Sequence, residues 1–146
     1  MFQGTGFSRD GIPTFLAENS PKSHENADSA IKITGIRFKI LYSGEEKVII
    51  LGRGITPPLI FALEGKNPRV VCDFKGTDLG SGIASEIKTG GKFIKMIRTG
   101  LHKGGGGKVR VVLDLSPEES YEVEQTFYKN QHTYELIIKP EKSISQ

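Results

Sequence analysis

Asn67-Pro68-Arg69-Val70-Val71-Cys72-Asp73-Phe74-Lys75-Gly76 reads as one β-strand set between two turns. Val70, Cys72 and Phe74 fall on one side and Arg69, Val71, Asp73 and Lys75 on the other, the period of two that sends successive side chains to opposite faces of a sheet. The flanking Gly65-Lys66-Asn67-Pro68 and Gly76 are residue types that interrupt strands and build turns. The same alternation recurs along the chain. Val109, Val111, Leu113 and Leu115 alternate with Arg110, Val112 and Asp114; Tyr121, Val123 and Phe127 alternate with Glu122, Glu124, Thr126 and Tyr128; Tyr134, Leu136 and Ile138 alternate with Glu135, Ile137 and Lys139. Ile36, Phe38 and Ile40 form a similar set, and the change of parity from Ile33 across Gly35 predicts a β-bulge. Segments 47–53, 58–64 and 92–99 supply three more candidate strands, and no segment supports a long amphipathic helix. Strands with a single apolar face must bury it against another sheet, so the expected fold is all-β: a sandwich of two antiparallel sheets with about eight strands.

An internal repeat organises these strands. Ile33, Ile36, Arg37, Lys47 and Val48 recur as Ile94, Ile97, Arg98, Lys108 and Val109 at an offset of 61, while Val70, Cys72, Phe74 and Lys75 match Tyr134, Leu136, Ile138 and Lys139 at an offset of 64. The repeating unit holds four strands and predicts a pseudo-two-fold molecule built from two related halves that do not fold separately. The repeat region fixes the domain at 31–140. Residues 1–30, a mixture of Gly, Ser, Asn, Pro and charges with scattered Phe2, Phe7 and Phe15, read as a flexible leader or linker, native or appended, and 141–146 as a frayed tail.

Composition sets outer limits on function. Ile, Leu, Val and Phe make up about 28% of the 146 residues, enough for a packed core and too much for a wholly disordered chain. The single Cys72 excludes an intramolecular disulfide, and no Cys/His cluster has zinc spacing, so no metal or other cofactor is expected. Cys72 alternates with Val70 and Phe74 and reads as core. No run of 18 apolar residues occurs, and the first residues carry neither the charged start nor the apolar stretch of a signal peptide. The glycines before Lys108 miss the phosphate-binding loop pattern because His102 and Val109 occupy two of its fixed positions. Gly80-Ser81-Gly82-Ile83-Ala84-Ser85 precedes a stretch broken by Gly90-Gly91, too short for a dinucleotide-binding helix. No Gly-x-Ser-x-Gly elbow is present, so no catalytic residue is assigned.

Charge is segregated. Residues 88–110 hold Lys88, Lys92, Lys95, Arg98, Lys103, Lys108, Arg110 and His102 without an acid, whereas 111–128 hold Asp114, Glu118, Glu119, Glu122 and Glu124 without a base. Two readings stand side by side: a basic hairpin that receives anionic groups of a ligand, or basic and acidic neighbours that pair across a sheet. Arg110 and Asp114 share one face of a strand, and Arg69 and Asp73 share the non-core parity of theirs. That pattern suits a polar recognition surface, or cross-strand Arg–Asp pairs that set register. Arg98 and its repeat counterpart Arg37 are candidates of the same kind.

Five motifs stand in order: Ile33-Thr34-Gly35-Ile36-Arg37; the 67–76 strand; Ile97-Arg98-Thr99-Gly100; Lys108-Val109-Arg110-Val111-Val112-Leu113-Asp114-Leu115; and Tyr134-Glu135-Leu136-Ile137-Ile138-Lys139-Pro140. Together they resemble the AMIN domain, the N-terminal localisation module of periplasmic N-acetylmuramoyl-L-alanine amidases and of type IV pilus secretins. Two departures are visible: Cys72 stands where the family usually has an aliphatic residue, and Gly104–Gly107 is an unusually bare loop. The resemblance implies a non-catalytic β-sandwich that binds peptidoglycan in the periplasm or cell envelope and localises a parent amidase or secretin-type protein. Envelope, divisome or pilus proteins are the implied protein partners. On that reading the ligand-binding set is Arg37, Arg69, Asp73, Arg98, Lys108, Arg110 and Asp114. The alternatives are a protein-interaction sandwich acting by edge-strand pairing and a basic nucleic-acid-binding module. Against the last, Phe93 alone offers an aromatic platform beside the basic run.

Overall fold

A computed structural model describes residues 31–141. Ten strands follow in chain order: β1 (Lys32–Ile40), β2 (Glu46–Arg53), β3 (Leu59–Leu63), β4 (Arg69–Lys75), β5 (Asp78–Leu79), β6 (Glu86–Lys88), β7 (Ile94–His102), β8 (Lys108–Leu115), β9 (Tyr121–Tyr128) and β10 (Thr133–Pro140). They form two five-stranded sheets, β5-β1-β2-β10-β9 and β3-β4-β8-β7-β6, packed as a sandwich. The expected leader 1–30 and most of the expected tail lie outside the described residues. Glu141 is described, and its N–H donates to the Ser120 carbonyl at 3.0 Å.

The all-β sandwich matches expectation, with two corrections. Ten strands replace eight because β5 and β6 span only two and three residues, too short for alternation to show in the sequence. The sheets are also not wholly antiparallel, since β5 runs parallel to β1. The bulge foreseen at Gly35 is present between Ile33 and Gly35, and β7 carries its counterpart between Ile94 and Met96.

The repeats interleave. β1 and β2 of the first repeat share a sheet with β9 and β10 of the second, while β7 and β8 join β3 and β4. Central pairs correspond across the pseudo-two-fold: Val48 faces Leu136 and Ile50 faces Tyr134 in one sheet, as Val111 faces Cys72 and Leu113 faces Val70 in the other. Val48 therefore corresponds to Val111 and not to Val109, because the second hairpin is longer at its turn. That turn contains Gly105, Gly106 and Gly107 with φ of 65°, 90° and 85°. Three successive left-handed residues are open to glycine and costly for any side chain, which accounts for the bare loop.

The core lies between the sheets and draws on both repeats: Ile33, Val48, Ile50, Val70, Cys72, Phe74, Ile94, Ile97, Val111, Leu113, Tyr134, Leu136 and Ile138 are all buried in it. Phe74 and Tyr134, from opposite sheets, meet edge to face with centroids 5.9 Å apart. The Tyr134 hydroxyl donates to Gln125 Oε1 at 2.6 Å, so this large ring is buried without stranding its polar end.

One buried charge fastens the two sheets. Glu46, at the start of β2, is 1% exposed. Its Oε2 accepts the backbone N–H groups of Lys92 and Phe93 at 2.6 and 3.1 Å, and its Oε1 accepts that of Ile94 at 2.8 Å. These donors lead into β7 of the opposite sheet. Gly91 makes the approach possible, since a Cβ there would lie 2.5 Å from Glu46 Oε1. Removing the carboxylate leaves three backbone donors without an acceptor, those of Phe93 and Ile94 buried and that of Lys92 partly so, and the buried ones each incur a substantial desolvation loss. Glu46→Ala is expected to lower the unfolding free energy by roughly 3–5 kcal/mol, and Glu46→Gln, which keeps one acceptor oxygen, by less. Urea unfolding followed by circular dichroism measures both; equal, sub-kilocalorie losses would contradict this role for the carboxylate.

Candidate functional site

The outward face of the β3-β4-β8-β7-β6 sheet gathers most of the expected site residues. Antiparallel register between β4 and β8 sets Asp73 opposite Arg110, Val71 opposite Val112 and Arg69 opposite Asp114. On β7, Arg98 stands beside Val112 and Met96 beside Asp114; on β3, Leu59, Phe61 and Leu63 stand beside Asp73, Val71 and Arg69. Arg69, Asp73, Arg98, Lys108, Arg110 and Asp114 thus share one surface. Arg37 does not join them: β1 places it beside Ile49 on the other sheet. Val71 and Val112 point away from the core, yet they are only 3% and 8% exposed. They are flanked in register by Phe61 and Arg98, whose side chains are long enough to fold over them.

Two bidentate forks dominate the face. Arg110 donates from Nε to Asp73 Oδ1 at 2.8 Å and from Nη2 to Oδ2 at 2.9 Å, with Lys108 Nζ 3.4 Å from the same Oδ2. Arg98 donates from Nε to Asp114 Oδ2 at 2.7 Å and from Nη2 to Oδ1 at 2.9 Å. Parallel N–H···O pairs of this geometry are the strong, orienting form of the ion pair. The Arg110 hydrogen bonds, with help from the Arg110 and Lys108 charges, hold the Asp73 carboxyl below its usual range against the opposing effect of burial. The Arg98 and Arg110 guanidinium groups are each pushed further up by hydrogen bonding to their aspartates. The Phe61 ring centroid lies 5.9 Å from the Arg110 guanidinium carbon, within cation–π range.

The charge segregation resolves differently from either reading alone. Of the acids in 111–128, Asp114 pairs with the basic hairpin through Arg98. Glu122 and Glu124 lie on β9 in the other sheet, where Glu124 pairs with Lys139. Arg110 and Lys108 are instead matched by Asp73 of β4.

A symmetric relation within this face is visible in the sequence once register is known. Arg69-Val70-Val71-Cys72-Asp73 and Arg110-Val111-Val112-Leu113-Asp114 are the same motif, laid antiparallel about the Val71–Val112 pair. Reciprocal pairs Arg110–Asp73 and Arg69–Asp114 follow from such a layout. The first forms. The second does not, because Arg98 holds both oxygens of Asp114, and Arg69 Nε is buried with no hydrogen-bond partner among the described residues. Phe61 is the member of the face that sequence reading passed over. Segment 58–64 reads as a strand, but nothing in it says which strand lies beside β4.

Cys72 belongs to the core beneath this face, where burial, aided by the Asp73 charge, pushes its thiol up to about 12 and keeps it protonated. Two open cavities lie elsewhere. One of about 260 Å³ is lined by Glu64, Pro68, Glu119 and Tyr121, and one of about 310 Å³ by Thr34, Ser81, Ile83 and Ile87. None of the seven expected ligand-binding residues lines either.

A family model described as the AMIN domain matches residues 35–138. No curated protein matches the chain.

The Asp73–Arg110 fork gives a pH signature. Because the native pKa of Asp73 lies below its unfolded value, its stabilisation is complete above about pH 4 and disappears as pH falls through the native value. The difference in unfolding free energy between wild type and Asp73→Asn is expected to stay constant from about pH 7 to 5 and to narrow below about pH 4. Urea titrations across that range check it; a difference unchanged down to about pH 3 contradicts the fork's contribution.

Proposed function

The chain belongs to the AMIN domain family, and from that membership we propose that its Arg/Asp face binds peptidoglycan and so localises a parent protein in the cell envelope. AMIN domains are non-catalytic modules associated with peptidoglycan in the periplasm, and among the described residues no helix is long and apolar enough to cross a membrane. An amidase or a secretin-type protein is the parent class this reading favours.

The observation that carries the assignment is the pair of guanidinium forks beside an exposed aromatic on an open face. Each fork uses Nε and Nη2, leaving the Nη1 donors of Arg98 and Arg110 for a ligand's hydroxyl, acetamido or peptide carbonyl oxygens. Phe61 offers an apolar surface against which the C–H face of a sugar can pack. A long polymer of sugars and peptides needs such a surface more than a closed pocket. Self-neutralised arginines also speak against nucleic acid, whose phosphates require uncommitted cations.

A second reading, interaction through edge-strand pairing, rests on β3. Leu59-Ile60-Phe61-Ala62-Leu63 is a charge-free edge strand with Leu59, Phe61 and Leu63 exposed, the kind of edge to which another extended chain adds.

Co-sedimentation with purified insoluble sacculi tests the first reading. The folded chain is expected to pellet with sacculi at moderate salt. The double variant Phe61→Ala/Arg98→Gln is expected to lose about tenfold or more in apparent affinity, while Arg37→Ala, on the other sheet, retains it. Wild-type protein that stays in the supernatant and is held by a nucleic-acid column at low salt would overturn the proposal. A charge placed on β3 by Ala62→Lys, at an exposed position of opposite parity to Leu59, Phe61 and Leu63, separates the second reading, since it should abolish strand addition and spare sacculus binding.

A further inference from the structure

We propose that Arg69 is the anion receptor of the Arg/Asp face, and that the group it takes is a carboxylate of the peptidoglycan stem peptide. The inference rests on the peptidoglycan reading above and names which part of the polymer that face distinguishes.

The duplicated Arg-Val-Val-x-Asp motif, with Arg98 of β7, sets three arginines beside two aspartates. Register offers Arg69 the carboxylate of Asp114, as it offers Arg110 that of Asp73. Arg98, reaching across from β7, occupies both Asp114 oxygens at 2.7 and 2.9 Å. Arg69 is left over, with its Nε buried and unpartnered among the described residues and its side chain on the outward face. Its Nε is closed to solvent and so to a ligand; what Arg69 offers an incoming anion is a guanidinium charge that no carboxylate of this face compensates. The missing partner has the shape of the one displaced: planar, two oxygens, one negative charge, suited to a fork. Asp114 stands directly across from Arg69, so a doubly charged phosphate meets more repulsion there than a carboxylate does. Leu63 and Met96 stand in the same row, flanking Arg69 and Asp114, and add apolar surface for the body of a peptide. Amidating the stem-peptide carboxyl groups removes the charge and one acceptor oxygen of each while keeping sugars and peptide, so Arg69 separates carboxylate-bearing from amidated peptidoglycan fragments.

The test compares two probes by calorimetry on the full chain: disaccharide–peptide fragments released from sacculi, and the same fragments with their peptide carboxyl groups amidated. Wild type is expected to prefer the carboxylate-bearing probe by about tenfold or more. Arg69→Gln and the charge-preserving Arg69→Lys are expected to reduce that preference to near unity, with thermal melts confirming that both fold. A preference that survives in both variants overturns the assignment of Arg69, as does wild type that binds the two probes equally. Stronger competition by inorganic phosphate than by acetate at equal concentration overturns the choice of carboxylate. Wild type that fails to pellet with intact sacculi is a separate result and refutes the peptidoglycan reading itself.

Discussion

Glu46 is a buried anion held by backbone alone. Three consecutive N–H groups, from Lys92 to Ile94, converge on its two oxygens, and among the described residues no cationic side chain pairs with it. Such a nest satisfies a carboxylate as a chain of fixed dipoles would, and it imposes geometry that an apolar contact cannot. Apolar packing between two sheets tolerates sliding, because burial is non-directional. Glu46 removes that freedom at the end of the sandwich where β2 and β7 begin. It thereby fixes the start of β7, the strand that delivers Arg98 to Asp114 and leaves Arg69 without its register partner. Core geometry and surface chemistry therefore share one anchor.

The sequence displayed the sandwich clearly because its signals are local. Val70-Cys72-Phe74 and Val109-Val111-Leu113-Leu115 each announce a strand with one apolar face, and the parity break at Gly35 announces the bulge. Strand neighbours were harder to read. The internal repeat showed that two halves exist without showing that they exchange hairpins. For the same reason β9, with Glu122 and Glu124, went to the sheet opposite the basic hairpin it adjoins in sequence. Glu46 was invisible as an anchor: an acid at the mouth of a strand looks like any solvated turn residue, and its acceptor role depends on backbone donors more than forty positions away. Phe61 was hidden likewise, since a strand alone does not reveal its neighbour.

On the Arg/Asp face, ion pairing and recognition support each other. A lone surface ion pair contributes little to stability, and exposed forks are worth about a kilocalorie or less. Here the forks have a second use, which is to hold guanidinium planes in place above Val71 and Val112. An arginine already oriented loses less freedom when a ligand arrives than one sweeping through solvent. The uneven count of three arginines to two aspartates converts that rigid surface into one with an open valence at a defined position.

The exchange of hairpins between sheets also governs when the fold can exist. β2 finds its central partner in β10, so residues 46–51 wait for residues 133–138. The β3-β4-β8-β7-β6 sheet has all its strands by Leu115, but its apolar face has no cover until the other sheet closes. A chain emerging from its N-terminus therefore has no resting point midway, and the domain forms as a late, nearly all-or-none event governed by long-range contacts. Until Pro140 has appeared, β2 keeps one unpaired edge and the other sheet an uncovered apolar face, both of which another chain, or a chaperone, can occupy.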